Sequence, residues 1–399
     1  MRAHLINPPA ADGVDMVREG RCMQRAGAWT AVWAPISLAT IAAVLRRDGV
    51  ECRLDDCIIE RIGEGVLLER ARAFSADLFV INTATPSIVS DLKLADRLKR
   101  EFPSALVLAI GIHVSALPED SFRMSPGLDA VARGEPELSV REAAAAWRAG
   151  RGLEGIPGLS FKDGDRIKHN PEREPAEIDS LPSPAWDLVR RELYRMPFTN
   201  RPFLLIGTSR GCPYHCRFCA DPAYYGHRLR TRSPARIVAE LREVRDNFGT
   251  RDFLFWSESF TLKREWTQAV LEEIIDAELG VRFVVNSRSD HVDLELLQLL
   301  KKAGCWMIGF GLESGDQRLL ELMNKKITVE QNRQAVLWAK QAGLQATAHL
   351  TLGFPGETRA SAMKTIELAC SLPLDFAQFY TVIPFPGSPL YNEAVEKGW

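Results

Sequence analysis

The run Gly211-Cys212-Pro213-Tyr214-His215-Cys216-Arg217-Phe218-Cys219-Ala220-Asp221 carries three of the chain's 8 cysteines in eight consecutive positions, 212 to 219. Thiolates crowded onto one short loop suit a soft metal centre, and iron-sulfur clusters take one Cys for each iron. Three ligands leave one iron open. A structural zinc site wants a fourth Cys or His, and His215 is too close to its neighbours to be the obvious one. A disulfide is disfavoured, because a cytosolic-looking chain keeps its thiols reduced.

This C-x3-C-x2-C spacing, with Phe218 just before the last Cys, resembles the signature of the radical S-adenosylmethionine (SAM) enzymes. The resemblance implies a 4Fe-4S cluster held by Cys212, Cys216 and Cys219, with the amino and carboxylate groups of SAM on the open iron. It further implies that an electron from the cluster cleaves SAM to methionine and a 5'-deoxyadenosyl radical, which takes a hydrogen from the substrate. The motif speaks for cluster and cofactor and says little of the substrate.

Working outward, 399 residues and 44.6 kDa allow two domains, each with its own core. A formal net charge of -2 without a long Lys/Arg block gives no electrostatic case for a nucleic-acid partner. The start, Met1 to Asn7, is too short an apolar run for a secretory signal, and no stretch reaches the length of a membrane span, so a cytoplasmic protein is expected. Cys22, Cys52, Cys57, Cys305 and Cys370 are scattered without metal-ligand spacing and read as small hydrophobes or free thiols.

Upstream of the cysteines, residues 1–150 alternate apolar runs with amphipathic stretches. Ala3 to Ile6, Glu51 to Leu54, Asp77 to Ile81, Ala105 to Ile110 and Leu128 to Ala132 read as five strands, several continuously apolar as strands buried on both faces are. A helix from Pro35 to Arg47 places Leu38, Ile41, Ala42 and Leu45 on one face, with Gly49 beyond its end. Strands alternating with helices predict a doubly wound parallel sheet, whose ligands lie outside the carboxyl ends of the strands. The residues expected there are Asn7-Pro8-Pro9, Thr83 to Ser87, Gly111 to Ser115 and Gly134 to Glu137. Singly, each reads as an ordinary turn or helix-capping residue.

Taken together, Asn7-Pro8-Pro9, Trp33-Ala34-Pro35, Gly111-x-His113-x-Ser115 and Gly134-Glu135-x-Glu137 resemble the cobalamin-binding domain of cobalamin-dependent radical SAM enzymes. The resemblance implies a Rossmann-like domain binding cobalamin through Asn7, Pro8, Pro9, Trp33, Thr83, Thr85, Ser87, Gly111, His113, Ser115, Gly134 and Glu135. The Asp-x-His-x-x-Gly motif that supplies a cobalt-ligating histidine in the mutases is absent. Cobalamin is therefore expected without a protein histidine beneath cobalt, and His113 is expected to serve the nucleotide tail.

Residues 151–196 shift to Pro-rich extended pieces, with Leu159 to Lys162 and Arg166 to His169 as a hairpin, and read as an ordered connector. Residues 197–399 follow with strands at Phe203 to Ile206, Phe253 to Trp256, Val281 to Val285, Trp306 to Gly309, Gln345 to Leu350 and Phe376 to Tyr380. Helices are expected near Pro234, Lys263, Val292, Val329 and Thr358, giving a partial (β/α)6 barrel. The barrel is also what the resemblance implies, with Phe218, Glu258, Arg288 and Glu313 at the SAM site. The Gly-Gly-Glu tripeptide of many radical SAM enzymes is replaced by Trp256-Ser257-Glu258-Ser259. The chain stops at Trp399, so a substrate-covering domain is expected to be absent or supplied by another chain.

The function implied is methyl transfer to an unactivated carbon, or phosphorus, of a small-molecule or lipid-like substrate, with an electron donor such as flavodoxin or ferredoxin. Radical ring formation or rearrangement without methyl transfer is the first alternative. A methylthiotransferase would need a second cluster, for which Cys22, Cys52 and Cys57 are the available thiols. A non-catalytic cobalamin sensor would leave the three-Cys loop without a purpose.

Overall fold

The computed structural model describes residues 1–10, 13–19, 22–25, 32–197 and 199–399, and the chain divides into two compact units. The first unit comprises Met1–Pro202, Ala220–Gly226 and Phe385–Ser388, and the second comprises the remainder. Among the described residues, no helix is long and apolar enough to cross a membrane.

In the first unit the strands are β1 (Arg2–Asn7), β2 (Met16–Glu19), β3 (Cys22–Arg25), β4 (Glu51–Asp56), β5 (Leu78–Asn82), β6 (Leu106–Ile110), β7 (Ala130–Ala132), β8 (Leu159–Asp163) and β9 (Arg166–His169). Strands β2 and β3 form a hairpin of their own, which the sequence reading did not include. The others make one sheet in the order β4-β1-β5-β6-β7-β8-β9, parallel from β4 to β7 and antiparallel from there on. The continuously apolar runs thus occupy the middle of a sheet covered on both faces, as their composition requires. The doubly wound fold is as expected, with the hairpin of residues 159–169 extending the same sheet.

The helices between these strands are α1 (Ile36–Arg47), α2 (Glu64–Phe74), α3 (Ile88–Glu101), α4 (Ile112–Ala116), α5 (Pro118–Met124) and α6 (Glu137–Arg148). Helix α1 buries Leu38, Ile41, Ala42 and Leu45, and Asp48 and Gly49 close it by hydrogen bonds to its last carbonyls. Burying one such aliphatic side chain contributes about 1.5–3 kcal/mol, so this face, rather than helix propensity, holds α1 to the sheet. Because β1 pairs with β4 on one side and β5 on the other, the strand order reverses between β1 and β5. Such a switch point opens a crevice at the carboxyl ends of the two strands.

In the second unit β10 (Phe203–Gly207) leads into a short antiparallel pair, β11 (Ser209–Arg210) with β12 (Arg230–Thr231). Between them runs the cysteine loop and then the single-turn α7 (Pro222–Tyr225), which belongs to the first unit. Strands β13 (Asp252–Trp256), β14 (Arg282–Ser287), β15 (Cys305–Glu313), β16 (Gln345–Leu352) and β17 (Phe376–Thr381) complete a six-stranded parallel sheet in sequence order, β10-β13-β14-β15-β16-β17. The helices are α8 (Pro234–Phe248), α9 (Arg264–Asp276), α10 (Leu294–Lys302), α11 (Gln317–Leu322), α12 (Val329–Gln341), α13 (Arg359–Ser371) and α14 (Pro389–Lys397). Their starts are fixed locally: Asp293 caps α10, and Thr328 with Gln331 and Thr358 with Ser361 form reciprocal capping boxes. Under the helices Phe255 and Phe283 stack at 4.2 Å between β13 and β14. This is the expected partial (β/α)6 barrel, and its chemistry belongs at the carboxyl ends of the strands.

Candidate functional site

The cysteine loop follows the first barrel strand. Cys212, Cys216 and Cys219 are half-buried and none is in a disulfide. The loop makes one turn of its own, Cys219 N–H donating to Cys216 O at 3.1 Å, and its neighbours hold it as well. Arg217 N–H donates to Met323 O at 3.0 Å, Arg217 Nη1 to Leu322 O at 2.9 Å, and Asn324 Nδ2 to His215 O at 2.7 Å. From α14, Leu390 N–H donates to Arg217 O at 2.8 Å and Glu393 pairs with the Arg217 guanidinium. Phe218 packs against the cluster of Met323, Phe354 and Leu390.

Beside the loop stand two buried cations. Arg288 lies with Cζ 3.5 Å from the Tyr214 ring centroid and forms two 2.9 Å bonds to Asp290, while its Nη2 donates to Lys325 O at 2.8 Å. Tyr214 O–H is 2.5 Å from His291 Nε2, closing the group. Lys325 Nζ is 2.7 Å from Glu313 Oε1 and 5.9 Å from the Phe218 ring centroid. Glu313 also accepts from Thr351 Oγ1 at 2.8 Å. Burial pushes the Glu313 carboxyl up, but the Lys325 charge and hydrogen bond with the Thr351 hydroxyl outweigh it and leave the group below its ordinary value. For Lys325 burial pulls down, and the Glu313 charge, with that of Cys216, holds it above its ordinary value.

The backbone around this pair is strained: Glu313, Asn324 and Lys326 have φ of 60°, 54° and 56°. Sequence reasoning found Glu313 and Arg288 and missed Lys325, Tyr214, His291 and Asn324. The only trace of Lys325 in sequence is its position after an Asn, in a turn closing α11. Glu258 is buried at the end of β13, and next to it Ser257 Oγ is buried with no hydrogen-bond partner. Ser259 Oγ accepts from Arg288 N–H at 3.1 Å, joining the loops after β13 and β14. Three thiols, buried cations and an unpartnered hydroxyl at one barrel end fit a cluster with a zwitterionic ligand.

At the switch point of the first unit, Asn7 Nδ2 donates to Asp56 Oδ1 at 2.8 Å and Tyr194 O–H to Asp56 Oδ2 at 2.7 Å. Pro8 and Pro9 present their carbonyls to the buried Arg18 on β2. Thr83 Oγ1 donates to Ile110 O at 2.7 Å. Ser115 Oγ donates to Gly111 O at 2.7 Å and accepts from Gly134 N–H at 3.0 Å. Gly111 has φ +127°, and a Cβ there would stand 2.4 Å from Thr83 O, so the approach it permits is that of Thr83's own backbone. Ser87 Oγ donates to Asp91 at 2.7 Å. Trp33 is half-buried before α1, and Glu135 is buried after Gly134.

His113 Nδ1 is 3.2 Å from Thr85 Oγ1, and burial holds the imidazole down at about 4, neutral near pH 7. Its Nε2 is buried without a hydrogen-bond partner, as is Asn7 Oδ1. These two atoms, at the end of β1 and the start of α4, flank the strand-end crevice and fit a large ligand bearing amide and phosphate groups. Sequence reasoning missed Glu19, which accepts from Ser37 Oγ at 2.8 Å and is pushed up to about 8 by burial.

The comparisons with known proteins agree with both halves. Residues 206–369 match the Radical SAM superfamily and residues 27–144 the B12 binding domain. Over 362 residues the chain is 32% identical to the uncharacterized methyltransferase PH0819 of Pyrococcus horikoshii, covering 90% of this chain and 78% of the relative. The chain belongs to the cobalamin-dependent radical SAM enzymes. A member of this family carries a 4Fe-4S cluster, SAM and cobalamin, and so does this enzyme. It is also 26% identical over 372 residues to the anaerobic magnesium-protoporphyrin IX monomethyl ester cyclase of Rubrivivax gelatinosus, covering 92% of this chain and 67% of that one. Its fold matches the methyltransferase TsrM of Kitasatospora setae, solved with cobalamin and a [4Fe-4S] cluster, with a TM-score of 0.79 over 99% of this chain and 78% of that one at 20% identity.

The cysteines of the radical SAM enzyme outside the loop are placed apart. Cys52 lies on β4 with Sγ 3.7 Å from Ala42 O of α1. Cys57 is buried in the core on the α2 side, with Leu67, Leu68 and Phe79. The two thiols face opposite sides of the sheet, and the side chain of Cys22 lies outside the described residues.

Proposed function

We propose that this radical SAM enzyme is a methyltransferase that acts on a carbon, or a phosphorus, of a small-molecule or lipid-like substrate. The observation that carries the reading is the methyltransferase relative, 32% identical, which matches the chain across both halves. In this reading residues 1–150 bind cobalamin, 151–196 connect, and 197–399 form the radical-generating barrel. A cytoplasmic setting and an electron donor of the flavodoxin or ferredoxin type belong to the same proposal.

When bound, the cofactors supply one electron for SAM cleavage, a hydrogen-abstracting radical and a carried methyl group. The chain's own residues then have defined tasks. Cys212, Cys216 and Cys219 would hold three irons, in a loop whose position is set by Arg217 and Asn324. Lys325 and Arg288 would place positive charge beside the Cys216 ligand. Arg288 gives most of its donors to Asp290 and Lys325, so it is assigned to holding the Tyr214 face of the loop, with Lys325 as the nearer cation for an anionic ligand group. Glu258 and Glu313 are assigned to the polar groups of SAM. In the first unit Asn7 and His113 would meet cobalamin's amide and nucleotide groups, His113 as a neutral ring.

The test is incubation of reconstituted enzyme with SAM carrying a labelled methyl group, a reductant and candidate substrates. Label in the product, together with S-adenosylhomocysteine, is the expected result. Turnover to an unlabelled product would instead favour ring formation or rearrangement, the reading that the cyclase relative supports.

A further inference from the structure

We propose that Arg18 is the positioning residue of the cobalamin crevice: its guanidinium ties the loop after β1 to the loop after β5 and fixes the opening of the switch point. The inference rests on the cobalamin reading above. Arg18 stands on the hairpin inserted between β1 and α1, and neither its side chain nor that of Asp91 is exposed. Its contacts divide between the two walls. Toward β1, Nη1 donates to Pro8 O at 3.1 Å and Nη2 to Pro9 O at 3.4 Å. Toward β5, Nη2 donates to Asp91 Oδ1 at 2.9 Å, and Nε to Asp91 Oδ2 at 3.2 Å and Ser87 Oγ at 3.1 Å.

Asp91 extends the tie by accepting from Ser87 Oγ at 2.7 Å and from Ala84 N–H at 3.2 Å. Asn82 Nδ2, at the end of β5, donates to Arg18 O at 2.7 Å, so the hairpin backbone is fastened as well. One rigid, planar fork therefore sets the separation of the loop 8–9 from the segment 82–91, which runs from the end of β5 into the first turn of α3. A fully buried ion pair is a poor source of stability, since apolar residues of like volume are often as stable. Its location across the switch point suits preorganisation: a crevice held at its working width leaves less ordering to be done when a large ligand enters.

The experiment measures hydroxocobalamin binding to the full chain, purified without cobalamin and with its cluster reconstituted anaerobically. Arg18→Lys keeps a charge for Asp91, but one ammonium cannot also reach both proline carbonyls. The expected result is a Kd at least about tenfold weaker, with far-UV circular dichroism and iron per chain unchanged. Hydrogen exchange at the amides of Ala84 and Ser87 should quicken in the ligand-free variant. A variant with parental circular dichroism and parental Kd would overturn the proposal. If Arg18→Lys does not fold, Asn82→Ala unfastens the hairpin backbone at Arg18 O and leaves the ion pair whole; a Kd weaker by about threefold is then expected, and a parental Kd overturns the proposal equally. A parental chain that takes up no hydroxocobalamin would overturn the cobalamin reading itself, a result distinct from equal binding by parent and variant.

Discussion

Replacing Glu19 by Gln should make the protein more stable at pH 8.5 while leaving it nearly unchanged at pH 5. Burial carries this carboxyl from an ordinary 4.5 to about 8, against the hydrogen bond from Ser37. The folded chain thus keeps the proton through neutrality, whereas the unfolded chain releases it above roughly pH 4.5. Because the folded value is the raised one, the stability contributed by the protonated form is complete below 4.5 and is lost progressively as the pH rises to about 8. At about 1.4 kcal/mol per tenfold change in proton affinity, the ceiling on this loss is on the order of 5 kcal/mol. The amide of the Glu19→Gln variant is neutral in both states and keeps an oxygen for Ser37, so the substitution removes the loss. For a unit of this size about 1 kcal/mol moves the midpoint by roughly 2–4 °C, so an advantage on the order of 10 °C is expected at pH 8.5. Thermal unfolding followed by circular dichroism from pH 5 to 9 compares the two proteins; groups not coupled to Glu19, His113 among them, cancel in the difference, whereas Asp56 and Glu137, which help to raise Glu19, are relieved by the same change. Two melting curves that stay parallel across this range would refute the reasoning.

Changing Cys212, Cys216 and Cys219 together to Ala should abolish both the cluster absorption and formation of 5'-deoxyadenosine, as read by spectroscopy and chromatography after anaerobic reconstitution. Cys52→Ala and Cys57→Ala should leave iron at about four per chain; a fall on either change, or about eight in the parent, would revive the second-cluster alternative. Lys325→Met strands the Glu313 carboxylate and should cost about 3–5 kcal/mol in denaturant unfolding, and adding Glu313→Gln should recover most of it. Loss of SAM cleavage in that stable double variant, measured beside the parent, would separate the pair's functional task from its structural one. Tyr194→Phe removes one donor to the buried Asp56 and should destabilise by about 1–3 kcal/mol.

What was legible in the sequence was whatever a local pattern dictates. The runs at Leu78 to Ile81 and Leu106 to Ile110 are apolar throughout because both faces of the strand are covered, and such a run announces itself without a partner. Thr328 and Thr358 could likewise be seen as helix starts, since a capping box closes within four residues. The hairpin at Met16 to Arg25 has strands of 4 residues, and the ion pair that anchors it joins positions 73 apart, so no window of sequence contains its cause. Among the site residues, Cys212, Cys216 and Cys219 declare themselves by spacing. Lys325 does not, because its ammonium is given meaning only by Glu313 and by the loop it adjoins. The Thr83 hydroxyl shows the converse: it reads as a free polar group until the fold brings the Ile110 carbonyl to it.

The discontinuous make-up of the first unit bears on how the protein is born. Ala84 and Ile112 form a small apolar core with Ala220, Tyr224 and Tyr225, and Phe385 packs against it. None of these last four has been synthesised when the ribosome finishes residue 202, and Phe385 follows 183 residues later. At about 5–20 residues per second, the sheet with its crevice waits roughly 10–40 s for its final pieces. During that interval Ala84 and Ile112 face water or whatever else will cover them. Neither a nascent first unit nor a gene fragment cut at residue 202 would be a finished domain, and vectorial folding here should leave a chaperone-sensitive intermediate that pulse proteolysis of stalled chains can detect.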